Sequence, residues 1–153
     1  MDWFWNIFRN PFLITATSSW AIAQVLKVII NAVIHKKISI ERLFGDGGMP
    51  SGHSATVSSL AVFSALTYGT DSFQFAFTAI LAIVVCHDAM GVRMETGKQA
   101  VVINEIMRTY SILTEKELPE VKLKELVGHT PMQVGAGILL GVINAFVMHY
   151  LIF

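Results

Sequence analysis

The sequence predicts an all-α, polytopic membrane protein. Of its 153 residues, 54% are hydrophobic and only 14% are charged, and the mean hydropathy is +0.59. Soluble domains carry about 25% charged residues. Four mainly apolar segments approach the length of about 20 residues that a membrane-spanning helix needs. Together these observations predict about four transmembrane helices and an amphipathic surface helix in one membrane-embedded domain, residues 1–153.

The first two spans are separated by a polar connection. The N-terminal "DWFWNIF" is typical of an aromatic anchor, because tryptophan favours the headgroup level of a bilayer. The first span is predicted from about Pro11 to Val33. A polar connection, His35–Pro50, follows, and the second span runs from about Ser54 to Thr70.

The third and fourth spans enclose a longer polar connection. The third span is predicted from about Phe73 to Ala89, and "YGTDS" joins it to the second in a tight turn. The connection Gly91–Pro131 opens with apolar residues at helical spacing, which predict an amphipathic helix on or near the membrane surface. Those residues are Val101, Val102, Ile103, Ile106 and Met107. "TEKELPEVKLKELVGHTP" then predicts a short polar helix, and the fourth span runs from about Met132 to Phe153.

The distribution of cations predicts the orientation in the membrane. With four spans, both polar connections lie on the same side, and they carry nine of the eleven lysines and arginines. These are Lys36, Lys37, Arg42, Arg93, Lys98, Arg108, Lys116, Lys122 and Lys124. Short loops rich in Lys and Arg stay cytoplasmic, so both termini are expected to face away from the cytoplasm. The net charge of zero argues against a nucleic-acid partner, which would call for a basic surface.

A glycine-rich turn, "GGMPSGHSA" at residues 47–55, leads into the second span. It places Pro50 and Ser51 where a helix would begin. The N-terminus of a helix presents unpaired N–H groups and the positive end of the helix dipole, so it can bind phosphate. His53 lies in that first turn, where it could donate a proton to a phosphate oxygen or a leaving group. The alternative is a capping serine beside an interfacial histidine without a chemical role.

A second histidine precedes the fourth span. "GHTP", residues 128–131, places His129 just before a helix on the same predicted membrane face as His53. A neutral imidazole can attack phosphorus, and the resulting phosphohistidine divides hydrolysis into two steps. The two histidines therefore favour phosphate chemistry, with one as nucleophile and the other acting first as acid and then as base.

Charged residues follow the third span in "HDAMGVRMETGKQA". Asp88 lies at the predicted membrane boundary, and Arg93 and Lys98 lie just outside it. An ionisable residue at membrane depth indicates a functional site. Arg93 and Lys98 could bind phosphate oxygens, and Asp88 could orient a histidine by accepting its second N–H. The alternative is an interfacial Asp88–Arg93 ion pair without a chemical role.

Lys27 is a cation within the otherwise apolar first span. It lies six residues before the predicted end at Val33, about 9 Å deep at the rise of an α-helix. Its side chain could extend to the interface. Beside a phosphate-binding helix N-terminus it could instead bind the substrate's charge.

Three motifs at membrane boundaries together resemble a known family. "MPSGHSA", "DAMGVRMETGKQA" and "GHTPMQVGAGILLG" are similar to the divergent branch of the type 2 phosphatidic acid phosphatase superfamily, which is related to acid phosphatases and vanadium-dependent haloperoxidases. The resemblance extends from about Gln24 to Gly141. The parent superfamily carries the signatures Lys-x6-Arg-Pro, Pro-Ser-Gly-His and Ser-Arg-x5-His-x3-Asp, and its members are metal-independent phosphatases with a histidine nucleophile.

The resemblance assigns roles to several residues. Ser51, Gly52 and His53 match the second signature, which implies phosphate binding by the first two and acid–base catalysis by His53. His129 matches the nucleophile of the third signature, and Lys27 matches the lysine of the first.

Other positions depart from these signatures. Ile34-His35 stands where the first signature has Arg-Pro, and the Ser-Arg pair is absent before His129. Gln133 stands in place of the aspartate that follows the nucleophile. Arg93 is the expected substitute for the arginine of the Ser-Arg pair. For the missing aspartate, either Asp88 supplies the negative charge or catalysis is weak.

The resulting hypothesis is an integral membrane phosphatase that hydrolyses a phosphomonoester or diphosphate of a membrane lipid, without a metal or another cofactor. Its expected catalytic residues are His53, His129 and Asp88. Its expected phosphate-binding residues are Lys27, Ser51, Gly52, Arg93 and Lys98. The site is expected on the cytoplasmic face, and the sequence leaves a homo-oligomer open. The alternative is a non-catalytic membrane protein that binds an anionic lipid headgroup or phosphate.

Overall fold

A computed structural model describes residues 2–36, 48–114, 123 and 127–153 of the chain. Its described residues form helices and turns and contain no strand, which confirms the all-α prediction. The helices are α1 (Asp2–Ile7), α2 (Pro11–His35), α3 (Gly52–Tyr68), α4 (Phe73–Met90), α5 (Val92–Thr114) and α6 (Pro131–Val147). A π-helical turn, Met148–Ile152, continues α6.

Three stretches of helix are long and apolar enough to cross a membrane. They are Pro11–Ile34, Phe73–Leu113 and Pro131–Ile152. The 17 residues of α3 extend about 26 Å at the rise of an α-helix, slightly less than the hydrocarbon core of about 30 Å. Because α3 packs against α2, α4 and α6, it forms the centre of the bundle. The expectation of about four spans therefore agrees with the fold.

Polar capping residues set where these helices begin. Asn10, Ser51, Ser72 and Thr130 each accept a hydrogen bond from a backbone N–H of the following first turn. Such caps satisfy donors that a helix leaves unpaired at its start. As a result α3 begins at Gly52, two residues before the predicted boundary of the second span.

α3 and α6 approach closely because two glycines of α6 face α3. A Cβ atom on Gly137 would overlap the carbonyl oxygen of Ser51, and one on Gly141 would overlap the carbonyl oxygen of Ala55 and the side chain of Ser58. Small residues four positions apart commonly bring membrane helices together in this way. The two glycines thus fix the first turn of α3 against α6.

A buried amide joins α6 to α2. Asn144 Nδ2 lies 3.2 Å from the carbonyl oxygen of Thr15, 3.0 Å from Ser18 Oγ and 2.8 Å from Ser19 Oγ. Asn144 and Ser19 are both buried. Because hydrocarbon offers no hydrogen-bond partners, these contacts satisfy polar groups that would otherwise be costly at this depth.

Two predicted surface elements are helical in the structure. α1 exposes Phe4 and Trp5, and their rings contact each other and that of the exposed Phe8, which directly follows the helix, as suits the predicted interfacial anchor. α5 contains the predicted amphipathic segment and exposes apolar side chains such as Val102 and Ile106. For the predicted polar helix in "TEKELPEVKLKELVGHTP", residues 115–122 and 124–126 lie outside the described residues.

The helix ends that carry the predicted site meet at one end of the bundle. The backbone N–H of Ser51, before α3, donates to the carbonyl oxygen of Gln133 in α6. The backbone N–H of His129, before α6, donates to the carbonyl oxygen of Ala89 near the end of α4. Trp20 and Gln24 of α2 lie against Gly52. Residues far apart in the sequence therefore surround one region.

Candidate active site

His129 is held by the backbone around it. Gly128 has a φ of 87°, which favours glycine, and a Cβ atom there would lie 2.6 Å from Met94 Cα. This close approach seats the loop against the first turn of α5. The His129 N–H donates to Ala89 O at 3.0 Å, and only 3% of the residue is exposed. The loop that carries the His129 ring, just before α6 in the chain, is therefore held in place by α4 and α5.

The side chain of Gln133 contacts the Nδ1 atom of the His129 ring. Its Oε1 lies 3.2 Å from His129 Nδ1 and accepts the backbone N–H of Thr130 at 3.1 Å. Thr130 Oγ1 in turn accepts the Gln133 N–H, so the two residues form a capping box at the start of α6. Gln133 thus contacts His129 from the position where the third family signature has an aspartate.

The role of Asp88 in orienting His129 stays a prediction, because the contact described for Asp88 is to another residue. Asp88 Oδ2 instead accepts a hydrogen bond from Arg93 Nε at 2.7 Å, and both side chains are about half exposed. The pair matches the alternative interpretation, an ion pair near the membrane boundary. The physical reason is proximity: Arg93 lies one helical turn and a kink beyond Asp88, whereas Gln133 lies one turn after His129.

The first turn of α3 is built into the same region. Ser51 Oγ accepts from the Ser54 backbone N–H at 3.3 Å and from Ser54 Oγ at 2.9 Å. Ser51 and Gly52 are buried, and Gly52 leaves room for Trp20, whose Cδ1 would lie 3.3 Å from an added Cβ. His53, on the same turn, is exposed. The turn therefore presents His53 at the surface from a fixed backbone.

Lys27 of α2 is buried within the bundle, beside the glycine-rich turn that precedes α3. Only 6% of the residue is exposed, and its Cγ would lie 3.8 Å from a Cβ on Gly48. Gln24, one turn earlier on α2, is also buried. The structure therefore brings the predicted lysine to the glycine-rich turn and adds a buried amide that sequence reasoning missed. Their spacing of three residues, on one helix face, was the available signal.

A cavity of about 260 Å³ opens beside His129. One wall is a face of α5 formed by Met94, Gly97, Lys98 and Val101, and the others come from Gly48, the loop 127–130 and Gln133. Lys98 Nζ also contacts Glu95 Oε1 at 2.6 Å in an exposed ion pair. Such exposed pairs contribute about 0–1 kcal/mol, so Lys98 can exchange this partner for an anion in the cavity.

The predicted residues fall into two groups. His129 and Lys98 line the cavity, and Lys27 lies beside Gly48, which also lines it. The turn carrying Ser51, Gly52 and His53 is hydrogen-bonded to the cavity wall at Gln133. Asp88 and Arg93 do not line it. Across the described ranges, no three His, Cys, Asp or Glu side chains cluster as metal ligands.

Fold and site together define a polytopic helical membrane protein with a histidine-containing cavity at one end of its bundle. The chain belongs to the Divergent PAP2 family, whose model matches residues 8–144. This match confirms the resemblance that the three motifs indicated.

A curated relative is similar along nearly the whole chain. It is the uncharacterized membrane protein YuiD of Bacillus subtilis (strain 168), 37% identical over 154 residues, which cover 95% of this chain and 98% of the relative. No solved structure matches the chain significantly. The comparisons thus establish the family and its membrane character.

Proposed function

We propose that this protein is a metal-independent phosphatase that removes phosphate from a membrane lipid. The observation that carries the proposal is the position of His129. It is buried, held by backbone and by Gln133, and borders a cavity that also contains Lys98. Membership of the Divergent PAP2 family supports the same chemistry.

Each part of the site has a distinct task in this proposal. Lys27, Lys98 and the first turn of α3 at Ser51 and Gly52 bind the phosphate, since fixed donors stabilise the negative charge that develops during transfer. Arg93 would join them only by leaving Asp88. The substrate is an apolar phosphate ester, because Met94, Val101 and Val127 supply much of the cavity wall.

Hydrolysis proceeds in two steps. A ring nitrogen of His129 attacks phosphorus while the bond from phosphorus to the lipid oxygen breaks, and His53 gives that oxygen a proton. Water then attacks the phosphohistidine, gives a proton to His53 and releases inorganic phosphate. Both histidines return to their starting states, so the cycle needs no other reactant.

Phosphate release by purified protein tests the proposal. The substrates are phosphatidic acid, phosphatidylglycerophosphate and a polyprenyl diphosphate, each in detergent. We expect release from at least one of them to survive excess EDTA and to be inhibited by vanadate, which mimics phosphorus with five ligands. Loss of activity to EDTA and recovery with magnesium would contradict the metal-independent mechanism.

A second function is favoured by the neutral partner of His129. An amide stabilises a positively charged imidazole less than a carboxylate does, and the nearby Asp88 carboxylate is paired with Arg93. These features suit a protein that binds an anionic headgroup or phosphate without hydrolysing it. Equal and negligible phosphate release by wild type and by His129→Ala, with binding retained, would identify this function.

We also propose that the site faces the cytoplasm, which gives a separate prediction. Single cysteines are introduced as Lys36→Cys or Thr70→Cys into a Cys86→Ala background, which has no other cysteine. Lys36 follows the end of α2 on the side of the bundle that carries the site, and Thr70 lies in the turn between α3 and α4 on the other side. In intact cells we expect an impermeant maleimide to label Thr70→Cys and to spare Lys36→Cys until the membrane is permeabilised. The reverse pattern would place the substrate headgroup in the outer leaflet.

A further inference from the structure

The amide of Gln133 contacts two nitrogen atoms with the same oxygen. Its Oε1 accepts the Thr130 backbone N–H at 3.1 Å and lies 3.2 Å from His129 Nδ1. A backbone N–H can only donate, so the group facing Thr130 must be the amide oxygen and not the NH₂. The hydrogen-bond network itself therefore decides the orientation of the amide.

This orientation determines the tautomer of His129. An amide oxygen only accepts hydrogen bonds, so its contact with Nδ1 is favourable when Nδ1 carries the hydrogen. In a neutral imidazole the lone pair then lies on Nε2. Resting on the proposed function, we infer that Gln133 is a positioning residue: it holds His129 in the Nδ1–H tautomer, so that Nε2 is the atom that attacks phosphorus.

Gln133 is itself fixed from both sides. Its backbone N–H donates to Thr130 Oγ1 at 3.4 Å, and its carbonyl oxygen accepts from the Ser51 N–H at 3.0 Å. The backbone of Gln133 is therefore anchored to both the His129 loop and Ser51, the residue that caps α3. A side chain held in this way orients the ring before substrate arrives, as metal-bound histidines are oriented by their outer partners.

The charges around the ring give the amide a further effect. From α5, Lys98 shares the cavity with His129. From α4, the Asp88 carboxylate is bound to Arg93. From α2, Lys27 lies beside Gly48, and from α3, His53 lies two residues after Ser51, whose N–H donates to Gln133 O. A neutral acceptor at Nδ1 stabilises an imidazolium less than a carboxylate would, so Nε2 keeps its lone pair to lower pH.

Histidine-selective ¹⁵N NMR of the whole protein in micelles tests the inference, with the His129 signal assigned from its loss in His129→Ala. Wild type is expected to show hydrogen on Nδ1. Gln133→Glu keeps the length and the capping oxygen, so it should retain this tautomer and raise the pKa of His129 by about one unit or more. Gln133→Met removes the acceptor and should yield a mixture of tautomers. Gln99→Met, an exposed amide on α5, is the matched control and should leave His129 unchanged.

Two results would overturn the inference: hydrogen on Nε2 in wild type, or an unchanged Nδ1–H tautomer in folded Gln133→Met. Thermal unfolding and the other histidine signals report whether Gln133→Met is folded, and wild type with Gln133→Glu suffices if it is not. The activity assay separates the two proposals. If Nδ1–H is found and no phosphate is released, the tautomer assignment stands and the phosphatase fails. If phosphate is released but the hydrogen is on Nε2, the phosphatase proposal stands and the tautomer assignment fails.

Discussion

Replacing His129 by alanine is expected to lower phosphate release by about 10⁴-fold or more, a loss typical of deleting a catalytic nucleophile. Substrate affinity should change little, because in the proposed mechanism the ground-state phosphate is still bound by Lys27, Lys98 and the first turn of α3. The measurement is kcat and Kd for the best lipid substrate, compared between wild type and His129→Ala in the same detergent.

Other variants show whether the effect is specific. His87→Ala removes an exposed histidine on the last turn of α4 and should leave turnover unchanged.

Lys27→Ala should weaken both binding and turnover, because it removes a cation beside the proposed phosphate site. His53→Ala should matter less for p-nitrophenyl phosphate than for a lipid, since p-nitrophenolate leaves with little need of a proton. Similar losses in His87→Ala and His129→Ala would contradict a nucleophilic role for His129.

Adding one methyl group at Gly141 is expected to have the largest effect on stability. In Gly141→Ala the new Cβ would overlap Ala55 O and Ser58 Oγ, which are backbone and buried side chain of α3. The helices must then separate, at a cost of about 1–3 kcal/mol or more for an overpacked core. Thermal unfolding in detergent should occur at clearly lower temperature. Activity should also fall, because separating α3 from α6 would weaken the hydrogen bond from the Ser51 N–H to the carbonyl oxygen of Gln133.

Gly135 provides the matched control on the same helix. A Cβ there meets no atom within 4 Å, so Gly135→Ala should be neutral or should stabilise α6 by up to about 1 kcal/mol through helix propensity. Equal destabilisation by Gly135→Ala and Gly141→Ala would show that the close approach of α3 and α6 does not determine stability.

The fold class, the helices and most of their starts could be predicted from sequence because they depend on local patterns. Apolar segments near 20 residues long, interrupted by polar connections, are sufficient to predict membrane helices. Ser51 and Thr130 could be recognised as helix-start residues because a capping side chain bonds only within its own first turn. The motifs around His53 and His129 likewise carried enough information to indicate the family that the comparisons confirm.

What the tertiary structure alone decided is which side chains face one another. From the sequence, Asp88 was the candidate to orient His129, and Gln133 was a departure from the aspartate of the family signature. In the folded bundle the Asp88 side chain contacts Arg93, and the Gln133 side chain contacts His129. These contacts depend on how the loop at Gly128 packs on α5, and on the close packing of α3 against α6 that Gly137 and Gly141 allow. Sequence patterns report periodicity along one helix, whereas these contacts arise from the distances between helices, which only the packed bundle determines.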